Sequence, residues 1–357
     1  MTSISDILKE AVSLGASDIF IVSGTAVSFK VFGNVIAVDN EIVMPADAEK
    51  MISEIFGLAD INKKTDEVSR EMDFSFSFAG VGRFRVNVYR QRSTLAAVLR
   101  NVLFELPDSS ALNIPEEIMS LADANNGIIL ITGAAGSGKS TTLTCMIDRI
   151  NSRRRGHIVT IEDPIEFLHK HKQSIISQRE IGIDTDSYAD ALRAALRQSP
   201  NVILLGEMRD NETMSIAMTA AETGQLVLST LHTLGAVNTI DRIIDSFPTN
   251  QQHQIRMQLS MVLRAVVSQQ LLPDKNGTLH PVFEVMTVNS AIRTMIREHK
   301  THQIETVMQT SKGMQTMDTA IFRLLSESII SEDTAVLYAS NPEMMKKKIE
   351  LHRNGDI

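Results

Sequence analysis

The stretch from Gly133 to Ser140 reads Gly-Ala-Ala-Gly-Ser-Gly-Lys-Ser and has the spacing of a phosphate-binding loop. Small residues suit such a loop, because its backbone N–H groups must turn inward on an anionic phosphate. Lys139 adds a positive charge at the β- and γ-phosphates, and the Ser140 hydroxyl is a ligand for Mg²⁺. We therefore predict that the chain binds ATP and Mg²⁺. The predicted nucleotide-binding residues are Gly133, Ala134, Ala135, Gly136, Ser137, Gly138, Lys139, Ser140 and Thr141.

The segments beside this loop decide between a phosphate site and a chance glycine-rich turn. Residues 128–131 form a β-branched apolar run, which predicts a buried strand, and the pattern from about Lys139 to Ile150 predicts a helix. A helix in this position presents its positive end to the phosphates. The strand before and the helix after the loop favour the phosphate site.

Two acidic residues end apolar segments further along the chain. In the segment 201–210 an apolar strand ends in an acid, Glu207, and the segment 157–164 repeats the pattern with Glu162 and Asp163. An acid in this position holds Mg²⁺ or polarises the attacking water in phosphate-loop enzymes. An isolated acid at a strand end is more often a helix cap or a solvated group. Two such acids on adjacent strands favour a catalytic role for Glu162 and Glu207, with Glu207 also a predicted Mg²⁺ ligand.

A histidine follows a third apolar strand. Residues 226–231 are followed by His232, which could contact the γ-phosphate or the attacking water and so report the nucleotide state. The alternative is a histidine whose hydrogen bonds are satisfied within the fold.

An earlier hairpin carries arginines. Phenylalanines alternate with polar residues in 72–78, and Arg83 and Arg85 alternate with apolar residues in the strand after the Gly80–Gly82 turn. Arg100 adds charge nearby. These arginines form either a solvated sheet face or an arginine finger that reaches the γ-phosphate of a neighbouring subunit.

The order of these elements predicts two domains. Pro107-Asp108-Ser109-Ser110 is typical of an interdomain linker, and strands alternate with helices after it. Such alternation predicts an α/β fold with a parallel sheet covered by helices on both faces and ligands at the carboxyl ends of the strands. We predict an N-terminal α+β domain at 1–106, a linker at 107–115, an ATPase core at 116–288 and a helical C-terminal region at 289–357.

Composition limits the class of protein. The 357 residues are 43% hydrophobic and 22% charged, as in an ordinary globular protein, and the net charge of −8 gives no broad basic field for nucleic acid. Cys145 is the single cysteine, so an intrachain disulfide and a four-cysteine metal site are excluded. The sequence contains neither a signal peptide pattern nor an apolar run long enough to span a membrane. We expect a cytoplasmic protein without a nucleic-acid partner, at most peripheral to a membrane.

Four motifs in this order resemble the Walker A, Asp-box, Walker B and His-box motifs of the type II/IV secretion ATPases, and within them the pilus retraction branch. They are Gly133–Thr141, Thr160–Glu166, Gly206–Arg209, and Ser229–Thr233 together with Asp241–Pro248. Arg83–Asn87 resembles the arginine-bearing hairpin of that family's PAS-like N-terminal domain. Ala291–Ile296 resembles its C-terminal AIRNLI motif.

The resemblance implies a RecA-like ATPase core, a smaller PAS-like domain and a helical C-terminal region. It implies a cytoplasmic homohexameric ring that hydrolyses Mg²⁺-ATP between subunits and drives type IV pilus retraction, and hence twitching motility, at the inner face of the cytoplasmic membrane. The implied partners are an inner-membrane platform protein and a paralogous pilus ATPase. Lys139 and Ser140 would hold the phosphates and Mg²⁺, and His232 would sense the nucleotide. Glu162 and Glu207 would handle water and metal, and a neighbouring protomer would supply arginines from among Arg83, Arg85 and Arg100.

Departures from the family pattern keep more than one function open. In the phosphate loop, Ala134-Ala135 replaces the usual Pro-Thr, a change that should leave the amide cradle intact. In the AIRNLI motif, Thr294 and Met295 replace the usual residues, so the function of the accessory paralogue stays open as an alternative. Assembly and secretion ATPases of this superfamily usually have an additional N-terminal domain and a four-cysteine zinc site. We see neither feature in this sequence, and this favours retraction over assembly or secretion. Two further candidate functions are a RecA-like nucleic-acid translocase and a nucleotide-gated scaffold with poor turnover.

Overall fold

The computed structural model describes residues 3–31, 33–102 and 106–354. Phe32, the end of an expected strand at 28–32, lies outside these residues, as do 103–105 and 355–357 from the predicted first and last domains. The chain divides into two compact units, Met1–Glu105 with Ile165–Leu168, and Leu106–Pro164 with His169–Ile357.

The N-terminal unit is an antiparallel sheet with helices packed on it. Its helices are α1 (Ile4–Ser13), α2 (Pro45–Leu58) and a short 3₁₀ turn (Thr65–Glu67). Its strands are β1 (Asp18–Val22), β2 (Ala26–Val31), β3 (Asn34–Ile42), β4 (Glu71–Phe78), β5 (Gly82–Gln91) and β6 (Thr94–Val102), in the order β3-β2-β1-β6-β5-β4. Alternation sets the buried face, since Phe76 lies opposite Phe84 across β4 and β5 and stacks on it at a centroid distance of 5.6 Å. The predicted α+β class of this part of the chain is confirmed.

The second unit contains a mixed seven-stranded sheet in its described residues. The strands are β7 (Gly127–Thr132), β8 (His157–Glu162), β9 (Ile175–Glu180), β10 (Val202–Leu205), β11 (Leu226–Leu231), β12 (Leu263–Pro273) and β13 (Leu279–Thr287). Their order is β13-β12-β7-β11-β10-β8-β9. Every neighbouring pair from β12 to β9 is parallel, and β13 runs antiparallel to β12.

Helices cover both faces of this sheet. They are α3 (Glu116–Leu121), α4 (Lys139–Arg153), α5 (Tyr188–Ala195), α6 (Asn211–Glu222), α7 (Ala236–Asp245) and α8 (Thr249–Val262). The side chains of β7 show the two layers, because Ile128 and Leu130 belong to one buried cluster whereas Ile129 and Ile131 belong to the other. The predicted α/β class, a helix-covered and largely parallel sheet, is confirmed.

The C-terminal region is helical. It contains α9 (Ser290–Arg297), a short 3₁₀ turn (Thr301–Gln303), α10 (Ile304–Thr310), α11 (Met317–Ser326), α12 (Glu332–Tyr338) and α13 (Pro342–Asn354). Helices α9 and α10 add Ile292 and Met308 to the core on one sheet face, while Ile321 of α11 packs in a separate cluster with Leu272 and Val282 of the β12–β13 hairpin. Among the described residues, no helix is long and apolar enough to cross a lipid bilayer.

This topology brings the candidate residues to one edge. The carboxyl ends of parallel strands meet on the same side of a sheet, and β7, β8, β10 and β11 are parallel neighbours in the order β7-β11-β10-β8. The phosphate loop follows β7, and His232 follows the adjacent β11. Glu207 follows β10, and Glu162 ends β8.

Candidate active site

The phosphate loop joins β7 to α4, and its two outer glycines meet Gln269 of β12. Gly133 and Gly138 have φ angles of 142° and 86°, which side-chain-bearing residues rarely adopt. A Cβ on Gly133 would lie 2.2 Å from the Gln269 carbonyl oxygen, and a Cβ on Gly138 would lie 2.8 Å from Gln269 Nε2. Gly133 therefore requires glycine for space as well as for conformation, and Gly138 requires it for conformation, with the Gln269 side chain close by.

The first turn of α4 suits an anion. Its N-cap is Gly138, no side chain caps the helix, and no acidic residue lies in the first turn. The first N–H groups of the helix and its positive dipole end are thus available to a phosphate. Ala134, Ala135 and Gly136 are exposed, so the loop is accessible from solvent.

A buried hydroxyl within the loop also fits a polar ligand. Ser137 is 6% exposed, and its Oγ has no hydrogen-bond partner among the described residues. A buried hydroxyl normally finds a partner, and a loop that receives a ligand is one place where this rule is broken. The geometry of the loop therefore fits a nucleotide phosphate.

Lys139 lies against the loop that it is predicted to serve. Its side chain is largely buried, and Nζ donates hydrogen bonds to the carbonyl oxygens of Gly133 (3.0 Å) and Ala134 (2.8 Å). The ammonium group is thus held at the start of the loop, where a compact positive charge attracts the outer phosphates.

Glu207 and His232 meet at the ends of β10 and β11. His232 Nε2 lies 3.4 Å from Glu207 Oε2, and Arg209 Nη2 binds Glu207 Oε1. The Glu207 side chain is only 13% exposed, whereas the His232 side chain is 55% exposed. The hydrogen bond with Glu207 raises the pKa of Arg209 above its ordinary value. The arrangement places a carboxylate between a fixed cation and an imidazole.

Thr230 fixes the loop that carries Glu207. Its Oγ1 donates to the Gly206 carbonyl at 2.5 Å, and its own carbonyl accepts from Met208 N at 3.2 Å. Glu207 and His232 face a cavity of about 340 Å³. The other lining residues are Met208, Arg209, Met214, Thr230, Leu231, Thr233 and Arg242.

Glu162 lies at the same edge but further from the phosphate loop. Its Oε1 accepts from Thr160 Oγ1 (2.6 Å) and Gln178 Nε2 (3.1 Å). At roughly 5 Å per strand, the end of β10 lies about 10 Å from that of β7, and the end of β8 about 15 Å. Glu207 is therefore better placed than Glu162 to act next to a bound phosphate.

Tyr188 is a neighbour of these acids that the sequence pattern did not indicate. A Cβ on Gly206 would lie 2.8 Å from the Tyr188 hydroxyl oxygen. Burial, together with the negative charges of Glu207 and Asp163, raises the pKa of Tyr188 above its ordinary value. The phenol thus stays protonated beside the acidic edge and can donate a hydrogen bond there.

The three predicted arginines share one face of the N-terminal sheet. Arg83 and Arg85 are two residues apart on β5, and Arg85 lies directly opposite Arg100 on β6. Arg83 Nη1 donates to Ser77 Oγ at 3.4 Å, and Arg100 Nε lies 2.9 Å from Asp18 Oδ1. Like charges directly opposite each other destabilise a sheet, and the Asp18 carboxylate offsets part of this repulsion at Arg100.

The groups available for Mg²⁺ match its usual chemistry. In residues 3–31, 33–102 and 106–354, no cluster of three or more His, Cys, Asp or Glu side chains could form a protein-only metal site. Mg²⁺ in phosphate-transfer enzymes is held by few protein oxygens together with phosphates and water. The exposed Ser140 and the Glu207 carboxylate are the candidate oxygens.

Comparison with known proteins agrees with this geometry. The family model of the type II/IV secretion system proteins matches residues 1–336. The chain is 40% identical to the type IV pilus retraction ATPase PilT of Pseudomonas aeruginosa over 95% of this chain and 99% of that protein. It is 38% identical to the type IV pilus ATPase PilU of the same organism over 98% of this chain and 92% of that protein.

Solved structures show the same relationship. The crystal structure of the pilus retraction motor PilT with bound ADP superposes with a TM-score of 0.86 and 43% identity, covering 97% of this chain and all of that one. The ATPase DotB of Legionella pneumophila gives a TM-score of 0.74 at 29% identity and covers 94% of this chain and 95% of that one.

Proposed function

The chain belongs to the type II/IV secretion system protein family, and on this premise we propose that it is an ATP-hydrolysing motor for type IV pilus retraction. The observation that carries the proposal is a complete phosphate loop at the same sheet edge as the Glu207–His232 pair. Binding without hydrolysis requires only the loop, whereas a carboxylate and an imidazole in contact indicate chemistry on a bound nucleotide.

The residues of the second unit have separate roles in the proposed reaction. The loop amides and Lys139 would hold the phosphates, and Mg²⁺, when bound, would supply positive charge to offset the charge on the transferred group. Ser140 and Glu207 are the proposed Mg²⁺ ligands. Glu207 also orients the attacking water, and the contact with Arg209 holds its carboxylate in place. Glu162 supports the water and metal shell from β8, and His232 reports the nucleotide state to α7, which begins four residues later.

A neighbouring subunit is proposed to complete the site. Arg83, Arg85 and Arg100 form a positively charged sheet face in the N-terminal unit, and phosphoryl transfer commonly uses an arginine from another molecule. We assign these arginines to the site of the next protomer in a homohexameric ring. Binding of ATP between protomers closes the hinge near Pro107 and hydrolysis releases it, so that chemistry becomes domain motion.

Mixed oligomers test the shared site. A double variant Arg83→Ala/Arg85→Ala is combined with Lys139→Ala in one ring population. If sites are shared, each inactive variant supplies what the other lacks, and ATPase activity rises above the value expected from dilution. If separated monomers hydrolysed ATP at the same rate as the assembled ring, the shared site would be contradicted.

The proposed setting is the cytoplasmic face of the inner membrane. There the ring would act on an inner-membrane platform protein, together with a paralogous pilus ATPase. Deleting the gene tests this assignment, since hyperpiliated cells that cannot twitch indicate retraction, whereas cells without pili indicate assembly.

An accessory motor is a second candidate, because the identity to the PilU relative is nearly as high as that to the PilT relative. Thr294 lies in α9 where the retraction motif has asparagine, and its hydroxyl bonds the Ser290 carbonyl within the helix at 3.1 Å. Normal retraction in a deletion strain that keeps its paralogue would favour the accessory role.

A further inference from the structure

Gln269 lies in the middle of the phosphate-binding region although it is far from the loop in sequence. It is located on β12, which pairs with β7 in parallel as far as the match of Ser268 with Thr132. Gly133, which follows Thr132, begins the phosphate loop, and Gln269 follows Ser268 in β12. The sheet thus places this glutamine beside the first residue of the loop, and the residue is 3% exposed.

The side-chain amide is bound to the phosphate-loop helix. Gln269 Oε1 accepts a 2.8 Å hydrogen bond from Thr142 Oγ1, and both groups are buried. Thr142 lies one turn into α4, where its N–H donates to the Gly138 carbonyl at 3.0 Å. A buried hydrogen bond between side chains that are 127 residues apart ties the start of α4 to the sheet.

The same residue limits the position of both ends of the loop. The Gln269 carbonyl oxygen packs so closely on Gly133 that a Cβ has no room there, and Gln269 Nε2 packs on Gly138, where a Cβ would displace the glutamine side chain. One residue of β12 therefore sets the separation of the two outer glycines. When packing and hydrogen bonds hold catalytic groups in place before the ligand binds, less free energy is spent on ordering them. Displacing such groups by about 1 Å can lower the reaction rate about 10²-fold.

We propose that Gln269 is a positioning residue for the phosphate loop, fixing Gly133, Gly138 and the start of α4 so that the loop amides converge on the nucleotide. It acts through the loop and Thr142. The proposal deepens the ATPase function and rests on it. A purely structural side chain would instead lower stability without changing the response to nucleotide.

The first measurement is the nucleotide-induced rise in melting temperature, with Mg²⁺ and ATP added to the full-length protein. Each variant is compared with its own nucleotide-free melting temperature, so a general loss of stability cancels. We expect the rise to shrink strongly in Gln269→Leu and in Thr142→Val, and to persist in Thr142→Ser, which keeps the hydroxyl. Gln270→Leu is the matched control, because Gln270 is the next residue of the same strand, is half-buried and points to the opposite sheet face.

The second measurement is steady-state ATP hydrolysis. We expect kcat to fall about 10- to 100-fold in Gln269→Leu, and the double variant with Thr142→Val to be little worse than either single variant. Additive losses in the double variant, or equal losses in Gln270→Leu, would overturn the proposal. Wild-type protein without ATP hydrolysis would instead refute the proposed function. Active wild type with an unaltered Gln269→Leu variant would refute only the positioning role.

Discussion

His232 Nε2 lies 3.4 Å from Glu207 Oε2, so the ends of the adjacent strands β11 and β10 bring an imidazole and a carboxylate into contact. Arg209 binds the other carboxylate oxygen. The more buried member of this group is the carboxylate, which is also the group that we assign to water and Mg²⁺. The imidazole is half exposed and can respond to what binds in front of it.

Glu207→Gln separates binding from hydrolysis. The amide removes the negative charge that pairs with Arg209 and orients the water, while the phosphate loop is unchanged. We expect kcat to fall about 10²- to 10³-fold with nucleotide affinity retained. Phosphate release over many turnovers and binding of a fluorescent ATP analogue measure the two quantities. Glu350→Gln, at an exposed position of α13, is the control, and normal turnover in Glu207→Gln would remove this residue from the mechanism.

Arg100→Gln tests the ion pair with Asp18 through its pH dependence. Burial alone would raise the pKa of Asp18, but hydrogen bonds from Arg100 and Ser17 and the charges of Arg100 and Lys30 outweigh it and lower the pKa below its ordinary 3.8. A lowered pKa contributes stability above the ordinary value, and this contribution is lost as the pH falls through the folded-state value.

We therefore expect Arg100→Gln to cost about 1 kcal/mol at pH 7, since the arginine side chain is largely exposed. The difference from wild type should shrink below about pH 4. Thermal melting across this pH range measures it, with the exposed Arg70→Gln as the control. A difference that grows on acidification would contradict the assignment of the ion pair.

Cys145 should be almost unreactive in the folded protein. It is buried in α4, and its Sγ lies 3.3 Å from the Pro107 carbonyl oxygen, to which the thiol donates. Burial, with the charges of Asp148 and Asp108, raises the pKa of the thiol to about 11 from 9.0. The thiolate fraction at pH 8 therefore falls about 100-fold. Labelling with a disulfide reagent should be slow in buffer and complete in denaturant, and rapid stoichiometric labelling of native protein would contradict the burial.

Glu284 caps two helices with one buried carboxylate. Oε1 accepts from Ala236 N at 2.6 Å, at the start of α7, and Oε2 accepts from Met317 N at 3.1 Å, at the start of α11. In Glu284→Gln one oxygen becomes an NH₂ group that faces a donor, so we expect a loss of about 1–3 kcal/mol at neutral pH.

The pH dependence of Glu284 has the opposite sign to that of Asp18. Burial raises the pKa of Glu284 above its ordinary 4.5, and the negative charges of Glu305 and Asp318 raise it further. The hydrogen bonds from Ala236 and Met317 lower the pKa but do not outweigh these effects. Folding therefore favours its protonated form, and its contribution to stability declines as the pH rises from about 4.5 through the raised value. Melting temperatures should show this decline in wild type and not in Glu284→Gln, with the exposed Glu350→Gln as control. Equal pH profiles would refute the assignment.

The parts of the site that the sequence predicted are local in the chain. A phosphate loop is a contiguous motif with a strand before it and a helix after it. Glu162, Glu207 and His232 each lie at or just after the end of a strand that its apolar sequence predicts. Their common edge follows from the rule that parallel strands end on one side of a sheet. That Glu207 and His232 are in contact depended on strand order, which only the structure gives.

The parts that could not be predicted are non-local. Strand β9 reads Ile-Ile-Ser-Gln-Arg-Glu, and as an edge strand it lacks the apolar pattern of its neighbours. The first half of β12 continues directly from α8, and its short apolar run does not distinguish a buried strand from a helix. Because the place of β12 beside β7 was unknown, nothing in the sequence indicated that Gln269 meets the phosphate loop.

Lys139→Ala tests the central claim most directly, because the account requires that this ammonium and the loop amides hold the triphosphate. The measurement is Mg²⁺-dependent ATP binding and hydrolysis by purified wild type and by the variant, with the exposed Lys312→Ala as control. We predict that wild type and the control bind and hydrolyse ATP, and that Lys139→Ala keeps its fold but loses at least about 10²-fold in kcat/KM. Wild-type protein that fails to bind ATP with Mg²⁺, or a Lys139→Ala variant that hydrolyses it at the wild-type rate, would contradict the account.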